Sequence, residues 1–212
     1  ALEALIRTGG VDSLGIHRAA ALADLPNAIS RANANKRDIE SGQGCLFGSW
    51  EDAPTTETNI PDIPEMRPLD IMLAERELLG VFLSGHPLSI NAKLLSSYKT
   101  IDDLNAALER LPEGATSSIN VCIFVLSVDK KPSKNKNSVS IYITGEDKTG
   151  QRMEFPYFVS EQDILHAEDI QANTAYVFNI KLNNWQGKRS KRVNTFLRVE
   201  QIPSKLANKL FV

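Results

Sequence analysis

Hydrophobic positions along this chain change their period once. Up to about Leu111 they recur every three or four residues, the spacing of a helix face, and from Ile119 onward they alternate, the spacing of a half-buried strand. Residues Leu2 to Ile6 end against Gly9-Gly10 and reach the next helix through a tight connection, Val11 to Gly15. That next helix places Leu22, Leu25 and Ile29 on one face. Pro26 interrupts it, so a kink or a restart is expected, and the pattern fades by Ala32. A further helix opens at Pro68, a favourable first position, and carries Leu69, Met72, Leu73, Arg76, Leu79, Phe82 and Leu83. Ser84, Gly85 and Pro87 should end it, and Gly80 should admit a close neighbour. Ser89 is placed to cap a short helix with Leu94 and Leu95. Thr100 and Asp103 form a capping box before Leu104, Leu108 and Leu111, which Pro112 and Gly114 stop.

The second half predicts five strands. Ile119–Leu126 is an unbroken apolar run, Ser138–Thr144 alternates around Val139, Ile141 and Ile143, and Met153, Phe155 and Tyr157 alternate beyond an Asp147–Gly150 turn, with Pro156 marking an edge. Ser160 and Asp163 cap a brief helix. Tyr176, Phe178, Ile180 and Leu182 make the fourth strand and Val193–Ile202 the fifth. The expected class is therefore α+β: an N-terminal helical segment and a linker, followed by a five-stranded OB-fold β-barrel. The divisions predicted are 1–32 helical, 33–65 linker, 66–116 helical connector, 117–203 barrel and 204–212 tail.

Composition narrows the function classes. No apolar run is long enough to cross a membrane, and with no basic, apolar run at its start a signal peptide is not expected. Cys45 and Cys122 sit far apart, so neither a disulfide framework nor a zinc site is suggested, and a cytoplasmic location is expected. Asp102 and Asp103 have a sufficient reason to be where they are, in a first helical turn, and His86 between Gly and Pro reads as a helix-end contact. No nucleophile with its base, phosphate loop or metal constellation is visible, so no catalytic residue, metal site or cofactor is assigned. The first residue, Ala1, suggests a piece of a longer protein. Charge is unevenly spread: residues 1–116 hold 10 Lys+Arg against 17 Asp+Glu, and residues 117–203 hold 12 against 9.

Three stretches carry a family likeness. The run Glu75–Leu88, E-R-E-L-L-G-V-F-L-S-G-H-P-L, closely resembles the segment of the bacterial DNA polymerase III alpha subunit that lies before its OB domain. Leu2–Leu22 resembles the second unit of that family's helix-hairpin-helix region, whose glycine hairpin can aim backbone amides at a DNA phosphate. Between them, in a polar stretch, Gln43-Gly44-Cys45-Leu46-Phe47 resembles the family's sliding-clamp-binding peptide. Gln43 would bond through its amide there while Leu46 and Phe47 fill an apolar pocket, although Gly44-Cys45 departs from the usual pair. The resemblance implies part of a DNA-directed DNA polymerase, a nucleotidyltransferase of DNA replication, with the clamp (beta subunit), single-stranded template and other replisome subunits as partners. Nothing in these residues matches that family's palm aspartates, so polymerase activity is not expected of the chain itself, and binding to the clamp loader is not carried over.

The basic residues of the second half fall near the two loops by which an OB barrel grips nucleic acid. Lys130, Lys131, Lys134 and Lys136 are expected in the loop between the first two strands. Trp185, Lys188, Arg189, Lys191 and Arg192 are expected in the loop before the last strand and at its start. Trp185, Tyr142 and Phe158 offer faces on which bases can stack. A stand-alone single-strand-binding OB protein would keep those loops without the clamp peptide, and an architectural adaptor would need neither.

Overall fold

The computed structural model describes residues 1–40, 60–132, 138–160 and 170–202. Helices α1 (Leu2–Arg7), α2 (Arg18–Glu40) and α3 (Pro68–Leu79) belong to one unit, Ala1–Ser84. Helices α4 (Ala92–Leu95) and α5 (Ile101–Glu109) belong with the strands to a second unit, Gly85–Val212. The 66–116 stretch expected as one connector is thus divided between the two. Strands β1 (Thr116–Pro132), β2 (Ser138–Glu146), β3 (Arg152–Ser160), β4 (Thr174–Trp185) and β5 (Lys188–Arg198) form one antiparallel sheet in the order β3-β2-β1-β4-β5.

β1 sets this order because it is long enough to serve two partners. Its first part, Thr116–Val125, pairs with β4, and its last part, from Phe124, pairs with β2. At the handover the register slips between Val125 and Ser127, a bulge that turns the strand. Gly145 lies opposite Val125 there, and a Cβ on it would stand 2.2 Å from Ile123 Cγ2 and 2.9 Å from the Phe124 carbonyl oxygen, so only glycine fits. The inward side chains, among them Ile123, Ile141, Ile143, Phe155, Tyr176, Phe178, Ile180 and Leu182, are essentially fully buried. Ile101 and Leu104 of α5 join the same core, held by the Thr100–Asp103 capping box and by Asp147, which accepts from Ile101 N at 2.8 Å.

The strand order is that of an OB arrangement, but the sheet is open. Among the described residues no hydrogen-bonded ladder joins β3 to β5; side chains bridge them instead, Tyr157 against Phe196 at 5.9 Å between ring centroids. Pro156, with no amide to donate, sits on β3, the strand at one end of the hydrogen-bonded order, as expected of an edge. The brief helix expected from Ser160 falls mainly on 161–169, outside the described residues.

On its other side β1 buries Cys122 and Phe124, which explains why the Ile119–Leu126 run does not alternate. A 3-10 turn, Pro87–Asn91, packs over this side. Its cap is His86, whose ring Nδ1 accepts from Leu88 N at 3.2 Å; the short helix α4, expected to be capped by Ser89, instead starts after Asn91 without a side-chain cap. Since Nδ1 accepts, the proton is on Nε2, which donates to Glu146 Oε1 at 3.2 Å. Burial keeps the His86 pKa below its ordinary 6.5, outweighing the opposing pull of Glu146, so the ring is a neutral fastener.

The helical unit departs from the apolar pattern in instructive ways. α2 passes through Pro26 without a restart and continues over Asn33–Glu40, which had been expected to open the linker. Alanine, lysine, arginine and glutamate are good helix formers even without an apolar face, and Lys36–Glu40 adds an ion pair one turn apart at 3.8 Å. α3 ends at Gly80, not at Ser84–Pro87. Gly80 takes φ 80° and donates to Arg76 O, and nothing lies within 4 Å of the place its Cβ would occupy, so its use is the left-handed helix cap and not a close approach. The face that α3 buries is Met72, Ala74 and Glu75, while Leu78, Leu79 and Leu83 are exposed.

Glu75, fully buried, holds this unit together. It accepts from Arg18 Nη1 at 3.1 Å, from Leu83 N at 2.9 Å and Ser84 N at 2.8 Å, and from the Ser84 hydroxyl. Arg18 in turn donates to both oxygens of Asp12 and to the Arg7 carbonyl. Desolvation works to raise the Glu75 pKa, yet the donors around it prevail and hold it below the ordinary 4.5; Glu65, accepting from the Arg18, Ala19 and Met66 amides, is lowered likewise. Both carboxylates therefore stabilise the fold fully above pH 4.5, and that stability is lost as pH falls through their depressed folded values. Glu75→Ala is expected to cost the helical unit about 3 kcal/mol, because Arg18 and two amides lose a buried acceptor. Urea unfolding at neutral pH checks the loss, and the same titration below pH 4 should show wild type and variant drawing together.

Candidate nucleic-acid interface

Alternation along β4 separates two chemistries. Tyr176, Phe178, Ile180, Leu182 and Asn184 are buried, while Asn179, Lys181, Asn183 and Trp185 face away from that core. Cross-strand neighbours share a face, so Lys181 stands beside Arg192, Asn183 beside Ser190, and Trp185 beside Lys188. β1 adds Thr116 opposite Asn183 and Ser118 opposite Lys181. Side-chain amides are linked across all three strands: Asn194 donates to Asn179 at 3.2 Å, and Asn179 to Asn120 at 2.8 Å. From residue 170 to Val199 the sequence contains no acidic residue. None of Lys181, Lys188, Arg189, Lys191 and Arg192 makes an ion pair among the described residues.

Phe158 of β3, 52% exposed, meets this face. It lines a cavity of about 310 Å³ with Thr116, Lys181, Asn183, Ser190, Lys191 and Arg192. Lys191 is the partly buried member: its ammonium lies 2.8 Å from Met153 Sδ, and desolvation lowers its pKa. Hydroxyls, amides and cations with no acidic partner among the described residues, set around one aromatic edge, make an environment suited to an anionic group beside a flat ring.

The residues expected from the sequence are only partly assembled. Phe158, Lys191 and Arg192 come together, and Trp185, 64% exposed, stands with Lys188 at the hairpin tip. The loop there is shorter than expected: Gln186 and Gly187, both with positive φ, make a two-residue turn, and Lys188 to Arg192 are already strand. Lys130 and Lys131 likewise belong to β1 and not to a loop. Being adjacent in a strand they point to opposite faces. Lys131 lies over the Tyr142 ring at 4.8 Å from its centroid, so that aromatic face is taken, whereas Lys130 is opposite Ile141. Lys131 faces Ser140 and Ser140 faces Phe158, which puts Lys131 two strands, roughly 10 Å, from Phe158. Lys134 and Lys136 lie outside the described residues, as do Gln43, Leu46 and Phe47.

The glycine hairpin does not offer a phosphate seat. Gly9 N donates to Ile6 O, Gly10 N to Leu5 O and Gly15 N to Asp12 O, and the first amides of α2, at Arg18 and Ala19, are occupied by the Glu65 carboxylate. The chain's own anion stands where an external one was expected.

Lys181, Asn179, Asn183, Ser190 and Thr116 were missed from the sequence. Their signal was available: the residues between Tyr176, Phe178, Ile180 and Leu182 had to form the opposite face of β4, and that face is polar and free of acids.

Such an arrangement defines a two-unit α+β protein whose sheet bears an anion-attracting face. No protein-family model matches the chain. Among curated proteins it is similar to DNA polymerase III subunit alpha of Xylella fastidiosa (strain Temecula1), 39% identical over 113 residues, 52% of this chain and 9% of that one. The subunit of Vibrio cholerae is 34% identical over 157 residues, 72% of the chain and 13% of the relative. That of Haemophilus influenzae is 27% identical over 216 residues, 99% of the chain and 18% of the relative. The chain belongs to the DNA polymerase III alpha-subunit family, matching a C-terminal fragment of that subunit, and it spans less than a fifth of the length of these relatives.

Like charges directly opposite in a sheet repel, and Lys181 with Arg192 is such a pair. Lys181→Glu is therefore expected to stabilise the sheet unit by about 0.5 kcal/mol. Urea unfolding measures it; a variant less stable than wild type would show that the repulsion is not felt.

Proposed function

We propose that the sheet unit holds single-stranded template during DNA replication, as an OB domain of a polymerase III alpha subunit, and that the Gln43–Phe47 peptide tethers the same protein to the sliding clamp. One observation carries the first part: Lys181, Lys191 and Arg192, with no acidic partner among the described residues, line one cavity with the exposed Phe158, and Lys188 stands beside the exposed Trp185. Ammonium and guanidinium groups neutralise phosphates and release their counterions, and an exposed ring accepts any base, so binding is strong in low salt and indifferent to sequence. The clamp part rests on sequence alone, in a chain whose family is a replicative one. DNA synthesis itself belongs, in this proposal, to the longer protein, in the cytoplasm, with other replisome subunits. Two weak contacts on one chain then give processivity, since release requires both to open together.

A stand-alone single-strand-binding or adaptor protein fits less well. Similarity to the Haemophilus influenzae subunit runs over 99% of the chain, helical unit included, where an independent OB protein would share the sheet alone.

Fluorescence anisotropy of a labelled oligo-dT at two salt concentrations tests the DNA part. Lys181→Glu with Arg192→Glu should weaken binding at least about ten-fold at low salt and reduce the salt slope by about 1.4, two phosphates at 0.7 each; an unchanged slope removes the interface. For the tether, Leu46→Ala with Phe47→Ala should abolish capture on immobilised clamp while leaving oligo-dT binding intact. Capture that survives would end that assignment.

A further inference from the structure

A second cavity, of about 320 Å³, lies beside the one that Phe158 lines, and its walls are Thr116, Ser117, Ser118, Asn179, Lys181 and Asn194. Thr116 and Lys181 belong to both cavities, so the two share a wall with an ammonium group on it. Each volume is at the lower end of those that hold small ligands.

The two linings differ in kind. The first offers an exposed ring, Phe158, together with Lys181, Lys191 and Arg192. The second has hydroxyls and amides, with neither a ring nor an aliphatic side chain among the described residues that line it, and Lys181 is the one cation there. A bulge builds its amide wall. Asn179 lies opposite Thr195 and Ile180 opposite Val193, which leaves Asn194 as the extra residue of β5. Bulges re-aim side chains, and the Asn194 amide is joined to Asn179 at 3.2 Å, which in turn donates to Asn120 at 2.8 Å. Three strands thus hold a fixed row of neutral polar groups next to Lys181.

The parts of a nucleotide make different demands on such surfaces. A base needs a flat or apolar surface to lie on, and of the two cavities only the first supplies one. A sugar presents ether and hydroxyl oxygens, which hydroxyls and amides can meet. A phosphate needs a cation, and Lys181 stands where the cavities join. We propose that the two cavities hold two successive nucleotides of one strand in different ways: the first takes a base against Phe158, Lys181 takes the phosphate that links the pair, and the second takes a sugar whose base points to solvent. This division rests on the single-strand reading above and deepens it, since it says which base of the pair is gripped and which is ignored.

The dinucleotide d(TpT) and its two single-abasic forms, lacking the 5′ or the 3′ base, serve as probes, each titrated into the full chain at low salt by NMR. d(TpT) should cause saturable shifts at the Phe158 ring and at the side-chain amides of Asn179 and Asn194. One abasic form should bind within about two-fold of d(TpT), and the other at least about five-fold more weakly, the lower limit for losing one stacked base. Phe158→Ala should bring d(TpT) down to the weaker abasic form and leave that form unchanged. A neutral methylphosphonate link should weaken binding severalfold, Lys181→Met should do the same, and the two losses should not add. Equal affinities for the two abasic forms, a Phe158→Ala loss that adds to the missing base, additive effects of the neutral link and Lys181→Met, or no saturable shift at these residues would overturn the division. If oligo-dT still binds with a salt slope that falls in Lys181→Glu with Arg192→Glu, the division alone falls; if oligo-dT does not bind, the single-strand reading falls and takes the division with it.

Discussion

The sheet unit depends on β1 being paired on both edges where it bends. At Phe124 and Val125 the strand faces Ala175 and Thr174 of β4 on one side and Glu146 and Gly145 of β2 on the other. Two ladders can meet on one strand only if the backbone turns there and its neighbour comes very close, which is what the bulge and Gly145 together permit. The consequences radiate from this crossing. Glu146, next in β2, is buried and is met by His86 and Arg152, and Asp147 reaches the first amide of α5. The polar groups that the bend brings inside thus become the attachment points for the helical cover.

Because β1 is enclosed on both sides near the crossing, its alternation disappears, while β4 and β5 keep theirs on a face that nothing in the described unit covers. The same geometry therefore explains why one strand reads as a uniform apolar run and why the polar residues gather elsewhere. Opposed cations at Lys181 and Arg192 work against folding. Their persistence on an acid-free surface is a cost that an anionic partner would offset, and it sets this face apart from the Arg18–Glu75 cluster, where every charge is met from within the unit.

How much of this was legible in the sequence follows from how local each signal is. The period change at Ile119, the Thr100–Asp103 box and the apolar side of β4 are written in neighbouring residues, and all were readable. What was not readable lay outside the apolar pattern or depended on partners elsewhere in the chain. α2 runs to Glu40 on helix propensity and the Lys36–Glu40 pair, neither of which an apolar count registers. α3 stops at Gly80, whose left-handed φ caps it, and Glu75 fixes the chain beyond by accepting the amides of Leu83 and Ser84. Lys130 and Lys131 looked like loop residues because the length of β1 is decided by its pairing with β2, where they lie opposite Ile141 and Ser140.

Glu65 shows the same limit at the level of function. A glycine hairpin before a helix announces free amides, and in isolation that inference is sound. Here a carboxylate 46 and 47 residues distant in sequence accepts from Ala19 and Arg18 and fills the place an incoming phosphate would take. With its pKa held down by those amides the carboxylate stays charged at neutral pH, so a phosphate would have to displace a like charge that is already bonded and tethered by its own chain. The motif is retained as a way of joining α1 to α2, and its anion site is satisfied internally. In the proposed function, binding to nucleic acid is therefore assigned to the basic face of β4 and β5 and not to this hairpin.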